Sequence, residues 1–440
     1  MKAWSMTREQ TFWLFLAALA WLIESYDIGL TSVILLPFKT LFHLTADARG
    51  LLVIAPTIGI VLGVVPSGMA ADLLGRKTLF AWAMLWYSVW TVLAGFSSSW
   101  RVLALMRMAA GLGLGAMFPM PYTLLAELSP AKIRGRIAGI LDAFLSLGYF
   151  AAPLAGAVIA RHVGLNTGWR LLFFAGGIGI VYAGLLAVWL PESPRWLLAN
   201  GRAEEAKTIL ARIGQPLASH PLSHPAYRFS AAFQGVYRQR TAMLWVAFPS
   251  ILFLFYAIMN FMPSVLSTEH LTDEAALNFS AYIMAASIPG KLFEAWLVEQ
   301  VGRKTLIVGF AAAASLAALI FPLVHGPLPL LLLGMALAFF GIAVDPAMKI
   351  YAAEQYPTTF RATGVGMAEG VARLFGGALA PYIFSFLLAM WGVPGSFAFV
   401  ALVGFAGAVA VGLWGQETRG LPLPDFPIPT TKLKRRNRLP

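Results

Sequence analysis

The sequence predicts an all-α membrane protein with twelve transmembrane helices, arranged as two pseudo-symmetric halves of six. Three observations lead to this prediction. Of the 440 residues, 59% are hydrophobic and only 12% are charged, whereas a soluble domain carries roughly twice that charged fraction. Apolar stretches long enough to cross a bilayer recur about twelve times. Two short motifs each occur twice, with the same separation in both cases.

The apolar stretches reach the length of roughly 20 residues that a membrane-spanning helix needs. The first is too long for the core of a signal peptide and precedes no small-residue cleavage site, so we expect it to be a helix. Gly and Pro are frequent within the stretches, as in packed membrane helices. The predicted spans are 11–37, 50–71, 78–98, 101–126, 136–160, 169–190, 242–267, 275–298, 304–324, 327–353, 362–390 and 394–414.

The longest polar segment divides the chain. It contains a short helical pattern from Ala203 to Ile213, followed by a run rich in Pro, His and Ser. We therefore predict an N-terminal six-helix half over 1–191 and a cytoplasmic linker over 192–240. A C-terminal six-helix half over 241–415 and a basic cytoplasmic tail over 416–440 complete the prediction.

Basic residues are distributed unequally between the two predicted membrane faces. The face that carries both termini and the linker holds most of them, and the other holds only Lys39, Arg49, Arg101, Arg161 and Arg170. An excess of Lys and Arg marks the cytoplasmic side, so both termini are predicted to be cytoplasmic. These loops also explain the net charge of +12 without a nucleic-acid partner. We expect a monomer in a bacterial inner membrane.

The internal repeat is the most specific feature of the sequence. The motif Gly-Arg-Lys-Thr-Leu at 75–79 returns at 302–306, and Glu-x-x-Pro-x-x-x-Arg at 127–134 returns at 354–361. Both motifs are displaced by 227 positions. Two independent motifs with one displacement predict two homologous halves. Many secondary transporters have such repeats, with the substrate site between them.

Several segments resemble motifs of the major facilitator superfamily. Residues 68–77, Gly-Met-Ala-Ala-Asp-Leu-Leu-Gly-Arg-Lys, are similar to its loop 2–3 signature, and 107–113, Arg-Met-Ala-Ala-Gly-Leu-Gly, to its helix 4 motif. Residues 191–196 and 417–420 resemble the ends of helices 6 and 12 in its sugar-porter-like and organic-ion branches. The resemblance implies the major facilitator fold. The second loop signature departs from the pattern, with Ala295 and Glu299 in place of its first Gly and its acid.

The repeated loop charges predict a cytoplasmic gate. Acids and bases at helix ends can pair while the cytoplasmic side is closed and separate when it opens, provided each pair is weak. The alternative is that these bases only set the orientation in the membrane. The candidate gate residues are Asp72, Arg76, Glu127, Arg134, Glu299, Arg303, Glu354 and Arg361.

Charges inside the predicted spans are functional candidates, because each is costly near the middle of a bilayer. Glu24 and Asp27 lie on one face of the first span, with no base on the same helix. An unpaired carboxylate in a low-dielectric interior takes up a proton readily, which predicts a proton relay. The alternative is that these acids pair with a base from another helix, most plausibly Arg107. Asp142, 227 positions before Glu369, is predicted to share a site-facing role with it.

The C-terminal half contains bases in its spans as well as acids. Three acid–base pairs are spaced three or four residues apart on single helices, which places each pair on one helix face. The alternative to a functional role is that these pairs only neutralise one another: Lys291–Glu294, Asp345–Lys349 and Glu369–Arg373. The segments around Lys291 and Arg373 resemble the lysine and arginine motifs of organic anion transporters, and 24–27 resembles the acidic motif of aromatic-acid:proton symporters. A guanidinium binds a carboxylate through two parallel hydrogen bonds, which agrees with an anionic substrate.

The seventh span adds an aromatic run that could stack on a substrate, although packing is the commoner reason for such a stripe. The full set of predicted substrate-binding residues is Tyr256, Asn260, Phe261, Lys291, Glu369 and Arg373. The predicted proton-coupling residues are Glu24, Asp27, Arg107 and Asp142.

These patterns predict proton-coupled uptake of a small organic anion, an aromatic or other carboxylic acid, by alternating access. One alternative is a proton-driven exporter of drugs or metabolites. The other is a sugar porter. Sugar recognition favours Gln side chains in the cavity, and the predicted helix interiors contain no Gln. We expect no enzyme activity, cofactor or metal, because the sequence has no cysteine and no P-loop, His-rich set or Ser/His/Asp grouping. The expected partners are the acid, protons and the bilayer.

Overall fold

The structure of the chain is a computed structural model that describes residues 6–117, 120, 121, 124, 128, 134–214, 232–268, 271–357 and 361–419. Within these ranges the side chains at 65, 68, 72, 134–136, 138 and 361–363 are outside the description. Every regular element in the described ranges is helical, as predicted.

The described residues of the first six predicted spans form seven helices, because the sixth span is divided at Gly176 and Gly177. They are α1 Arg8–Leu41, α2 Ala46–Leu74, α3 Arg76–Ala94, α4 Trp100–Met117, α5 Arg134–His162, α6 Leu165–Ala175 and α7 Ile178–Trp189. Two short helices follow in the predicted linker, α8 Pro194–Ala199 and α9 Ala203–Arg212. The second of these matches the helical pattern expected there.

The later spans contain α10 Gly235–Thr268, α11 Asp273–Ala285, α12 Ser287–Val301, α13 Arg303–Ile320, α14 Pro327–Gly341, α15 Val344–Glu354, α16 Arg361–Ala372 and α17 Ala380–Trp414. A 3₁₀ turn, Phe321–Leu323, follows α13, and a π-helical segment, Arg373–Leu379, joins α16 to α17. The helix of the seventh span begins at Gly235, inside the predicted linker. Its first turns are polar, and Arg240 there donates to the Gln355 carbonyl at 2.9 Å.

Eight helical segments of the described chain are long and apolar enough to cross a membrane. The last of them, 364–414, contains two predicted spans. They are separated at Gly392, where φ is 65° and ψ is −168°. Glycine adopts this backbone conformation without strain, and Pro394 then restarts the helix.

Two spans of the C-terminal part have breaks that hydropathy does not indicate. The eighth span is divided at Ala286, and the tenth at Ile342 and Ala343. Pro346 lies in the first turn of the helix that follows the second break, where the missing N–H costs no helical hydrogen bond. Discontinuous helices carry the binding sites of many secondary transporters.

The chain packs as two compact units. Unit 1 comprises Met1–His220, Met259–Ile288 and Pro381–Met390, and unit 2 comprises Pro221–Ile258, Pro289–Ala380 and Trp391–Pro440. Parts of the seventh, eighth and eleventh spans therefore pack with the N-terminal helices. The domain boundaries drawn from the repeat remain predictions.

Glycines allow close helix packing inside unit 1. Gly59 and Gly63 of α2 lie against α4, where Gly111 and Gly115 provide the facing surface. A Cβ at Gly59 would overlap the main-chain carbonyl of Met108. Small residues four positions apart are typical of helix pairs in membranes, so this pair fixes α2 against α4.

The C-terminal segments in unit 1 are tied to the start of α2. The Tyr382 hydroxyl donates to Asp47 Oδ1 at 3.1 Å, and Ser385 Oγ donates to the Ala46 carbonyl at 3.0 Å. The Tyr382 ring covers Gly50, where a Cβ would lie 2.6 Å from the ring. These contacts hold α17 against α2 at one end of the unit.

Candidate functional site

A buried ion pair joins α1 to α4 in the interior of unit 1. The Asp27 and Arg107 side chains are each 1% exposed. Arg107 Nη1 lies 2.8 Å from Oδ1 and 2.7 Å from Oδ2 of Asp27, and Nη2 donates to the Asp27 carbonyl at 2.9 Å. Of the two possibilities that the sequence leaves open for Asp27, the structure contains the pair with Arg107.

Further contacts complete the environment of this pair. Thr91 Oγ1 of α3 donates to Asp27 Oδ1 at 2.6 Å. The Arg107 guanidinium lies 5.8 Å from the centroid of the Phe173 ring. Burying two ions costs several kcal/mol for each, so a buried pair is weak evidence of a role in stability. The arrangement therefore favours a functional role.

Two other acids of unit 1 are also buried. Glu24 is completely buried one turn before Asp27, and Asp142 on α5 is 1% exposed. Tyr87 on α3 is also completely buried in this unit. Tyr87 and Thr91 are not among the residues predicted from the sequence. Nothing in the uncharged interior of their span distinguishes them from packing residues.

Unit 2 holds the predicted acid–base pairs. Lys291 and Glu294 of α12 are 2% and 3% exposed. On α15, Lys349 Nζ lies 2.8 Å from Asp345 Oδ2. The interior of this unit therefore contains basic side chains in a region that hydropathy assigns to the membrane.

Arg373 lies where the eleventh span changes its helical geometry. Glu369 belongs to α16, Arg373 is the first residue of the π-helical segment, and both are half-buried. In the same segment Gly376 packs against α10, where a Cβ would lie 2.7 Å from Leu252 Cβ. π-helical turns often occur at functional sites. This one begins at the base that the sequence assigns to substrate binding.

The aromatic run of the seventh span is divided between the units. Tyr256, in unit 2, packs edge-on against Phe255 with ring centroids 5.1 Å apart. Phe261, in unit 1, packs against Phe384 at 4.8 Å, and the neighbouring Asn260 is 4% exposed. The first contact joins neighbours on α10 and the second joins α10 to α17. The part that the three residues take in binding stays a prediction.

Glu192, which follows the sixth span, forms hydrogen bonds with the first loop motif. Gly75 has a φ of 94°, and a Cβ there would overlap the Glu192 carboxylate. Glu192 Oε1 accepts hydrogen bonds from the main-chain N–H groups of Arg76 and Lys77 at 2.9 and 3.0 Å. Arg76 also donates from Nη1 to the Ser193 hydroxyl at 2.6 Å. Glu192 thus caps α3 by satisfying donors that a helix start leaves unpaired.

The second half of the chain repeats this arrangement. Gly302 has a φ of 95°, and Glu417 accepts from the main-chain N–H groups of Arg303 and Lys304 at 2.9 and 3.1 Å. Burial alone would raise the pKa of Glu417, but hydrogen bonds from main-chain N–H groups hold the pKa below its ordinary value of 4.5. Both acids were visible in the sequence as parts of the span-end motifs. Their partners were not, because about 115 residues separate each acid from the helix it caps.

Three of the candidate gate residues form one cluster in unit 2. Arg303 Nη2 lies 3.0 Å from Glu299 Oε1, and Nε lies 3.3 Å from Glu354 Oε2. Glu354 Oε2 also accepts from the Thr418 hydroxyl. Burial lowers the pKa of Arg303, but the carboxylates of Glu299 and Glu354 outweigh it and raise the pKa, so the guanidinium stays charged.

Of the five other gate candidates, Arg76 donates to Ser193 as described above. The other four lie outside the described residues or side chains: Asp72, Glu127, Arg134 and Arg361. The pairing of these residues therefore stays a prediction. Within the described residues, no group of three or more His, Cys, Asp or Glu is placed to hold a metal ion.

Membrane-spanning helices in two repeated sets and buried charges in their interior define a multi-pass membrane transporter of the major facilitator fold, not an enzyme. The chain belongs to the sugar (and other) transporter family, whose model matches residues 13–428. The fold class and the transporter class predicted from the sequence are thereby confirmed.

Known relatives cover almost the whole chain. A niacin transporter of Acinetobacter baylyi is 31% identical in an alignment 417 residues long that covers 92% of this chain and 94% of that protein. A 4-hydroxybenzoate transporter of the same bacterium is 28% identical in an alignment 371 residues long that covers 78% of this chain and 79% of that protein. The xylose transporter of Escherichia coli, solved in a partially occluded inward-open conformation, superposes with a TM-score of 0.75 at 20% identity. The match covers 95% of this chain and 100% of that one, and at this identity it shows the fold alone.

Proposed function

We propose that this transporter takes up a small organic anion, an aromatic or other carboxylic acid, together with protons by alternating access. The observation that carries the proposal is the buried Asp27–Arg107 pair. It joins a titratable carboxylate to a permanently charged base in a site from which water is excluded.

Protonation of Asp27 would have a large energetic consequence. It would leave Arg107 charged and without its counter-ion in the interior, an arrangement destabilised by about 3–5 kcal/mol. A bound anion or a different helix packing must offset that cost. Proton binding, substrate binding and conformation would therefore be thermodynamically linked, which is the requirement for coupled transport.

The charges of unit 2 support the anionic substrate. Its membrane-spanning part contains the bases Lys291, Lys349 and Arg373. We assign Arg373 as the main anchor, because a guanidinium holds a carboxylate through two parallel hydrogen bonds. Niacin and 4-hydroxybenzoate, which give two relatives their names, are both aromatic carboxylic acids.

The remaining assignments follow from the distribution of charge. Both termini would face the cytoplasm of a bacterial cell, with the chain working as a monomer in the inner membrane. The cluster of Glu299, Arg303 and Glu354 would then lie at the cytoplasmic side. We assign it to the gate, where pairs must separate when that side opens.

Uptake by purified protein in liposomes tests the substrate class. The substrates are radiolabelled nicotinate and 4-hydroxybenzoate, with nicotinamide as a neutral analogue of the same size and xylose as the sugar. We expect uptake of the two acids and none of the amide or the sugar. Uptake of xylose without the acids would identify a sugar porter, and outward movement alone would identify an exporter.

A further inference from the structure

The helix break in the tenth span places an ion pair at the start of a new helix. After α14 ends at Gly341, α15 begins at Val344, and Asp345 lies in its first turn. Lys349, one turn later, places Nζ 2.8 Å from Asp345 Oδ2. The pair therefore belongs to the helix that begins after the break.

This pair differs from the Asp27–Arg107 pair in its access. The Lys349 side chain is 22% exposed and that of Asp345 is 8% exposed, whereas both members of the other pair are 1% exposed. Asp345 Oδ1 is buried and accepts no hydrogen bond within the described part of the chain. The carboxylate is thus held through one oxygen, and its lysine is the more exposed member of the pair.

Other charged residues lie on the helices that neighbour α15. Gly290 of α12 packs against the segment before α15, where a Cβ would lie 3.2 Å from Ala343 Cβ. Lys291 follows directly, with Glu294 one turn later. Glu369 lies on α16, which packs on α15. The charged residues named on these neighbours are thus the base Lys291 and the acids Glu294 and Glu369, with Arg373 as a second base directly after α16.

We propose that Lys349 is a second carboxylate-binding residue and that Asp345 is its counter-ion, which a substrate carboxylate displaces. The inference rests on the proposed function, because it requires an anionic substrate. Displacement keeps the ammonium neutralised. The first turn of α15 continues to stabilise the released Asp345 carboxylate, since a helix N-terminus carries partial positive charge. Asp345 would then act as a built-in competitor that weakens anion binding and speeds release.

The test compares dissociation constants of nicotinate and nicotinamide for the purified full-length protein. Asp345→Asn removes the competitor, so nicotinate should bind about tenfold more tightly, a gain of roughly 1.4 kcal/mol, with nicotinamide unchanged. Lys349→Gln should weaken nicotinate binding by a similar factor. The double variant Asp345→Asn with Lys349→Gln keeps a neutral pair of similar shape and should bind nicotinate no better than Lys349→Gln.

A purely structural pair gives opposite results. Asp345→Asn would then lower the unfolding temperature without tightening nicotinate binding, and the double variant would restore both stability and normal affinity. That pattern overturns the inference while leaving the proposed function intact. Absence of nicotinate and 4-hydroxybenzoate binding to the wild-type protein would overturn both.

Discussion

Arg107 binds Asp27 in two ways that respond differently to protonation. Nη1 contacts both carboxylate oxygens, whereas Nη2 donates to the main-chain carbonyl of the same residue at 2.9 Å. A proton on the carboxylate removes the charge that holds Nη1 and leaves the main-chain bond in place. The arginine can thus remain anchored to α1 while part of its guanidinium becomes available to a new partner.

Asp27→Asn should therefore uncouple transport from the proton gradient. The amide cannot carry a proton, so nicotinate should no longer accumulate against its gradient in liposomes with an acidic exterior. Exchange of labelled for unlabelled nicotinate should persist, because it needs no net proton movement. The measurements are the accumulation ratio and the exchange rate on the same preparation.

Thr91→Val provides the matched control for this variant. It removes the hydroxyl that donates to Asp27 Oδ1 at 2.6 Å but retains the acid, so accumulation should survive. A thermal unfolding curve checks that Asp27→Asn is folded, since Arg107 loses its counter-ion. Normal accumulation by Asp27→Asn would exclude Asp27 as the proton carrier.

Arg373→Ala should raise the KM for nicotinate uptake by at least about tenfold, a loss of roughly 1.4 kcal/mol. Arg373→Lys should recover part of the loss, because lysine keeps the charge but cannot form the two parallel hydrogen bonds. Arg202→Ala is the control, since Arg202 is 49% exposed and pairs with Glu205 on the surface. A wild-type KM in Arg373→Ala would remove Arg373 from the binding site.

The cap formed by Glu417 should make stability depend on pH. Its folded-state pKa is held below the ordinary 4.5, so its contribution is complete above that pH and is lost as the pH falls through the folded-state value. Glu417→Gln should therefore lower stability at pH 7 by about 1 kcal/mol, the usual cost of a lost cap. The difference should shrink below pH 4.5. Thermal unfolding from pH 7 downwards measures it.

The surface acid Glu204 offers the comparison for this experiment. It is 86% exposed and pairs with Lys207, so Glu204→Gln should leave the unfolding curves nearly unchanged at every pH. A constant difference between Glu417→Gln and wild type across the whole pH range would contradict the cap.

Tyr382→Phe should loosen the contact between α17 and α2, because it removes only the hydroxyl that donates to Asp47. The chain has no cysteine, so a single cysteine introduced at Ala48, 7% exposed, reports on this contact. Its labelling by a maleimide in detergent should be about fivefold faster, equivalent to a hydrogen bond of roughly 1 kcal/mol. Tyr282→Phe, at a half-exposed tyrosine of unit 1, should have no effect. Equal labelling in both variants would show that the hydroxyl does not hold α17 against α2.

The sequence predicts what depends on local patterns. Spans follow from runs of apolar residues, and α9 follows from its own short amphipathic pattern. The breaks at Ala286 and at Ile342 could not be predicted, because the apolar runs continue through both of them. Hydropathy averages over such interruptions.

The candidate site shows the same limit. Asp27 and Arg107 could be identified because charges are rare in apolar spans, but Thr91 resembles any other small polar residue of a membrane helix. The caps formed by Glu192 and Glu417 had a usable signal. Glu192 and Glu417 each follow the last span of a half. In both halves the third span begins with the same Gly-Arg-Lys-Thr-Leu motif. Reading the two motifs as partners requires knowledge of which loops lie side by side.

Proton movement that accompanies the substrate distinguishes coupled uptake from every other route of entry. Liposomes containing the protein and a pH-sensitive dye receive nicotinate outside at equal pH, and protein-free liposomes correct for diffusion of the neutral acid. Proton-coupled uptake through Asp27 predicts internal acidification with wild-type protein, none with Asp27→Asn, and none when nicotinamide replaces nicotinate. Nicotinate entry into wild-type liposomes without acidification beyond the protein-free control would contradict it.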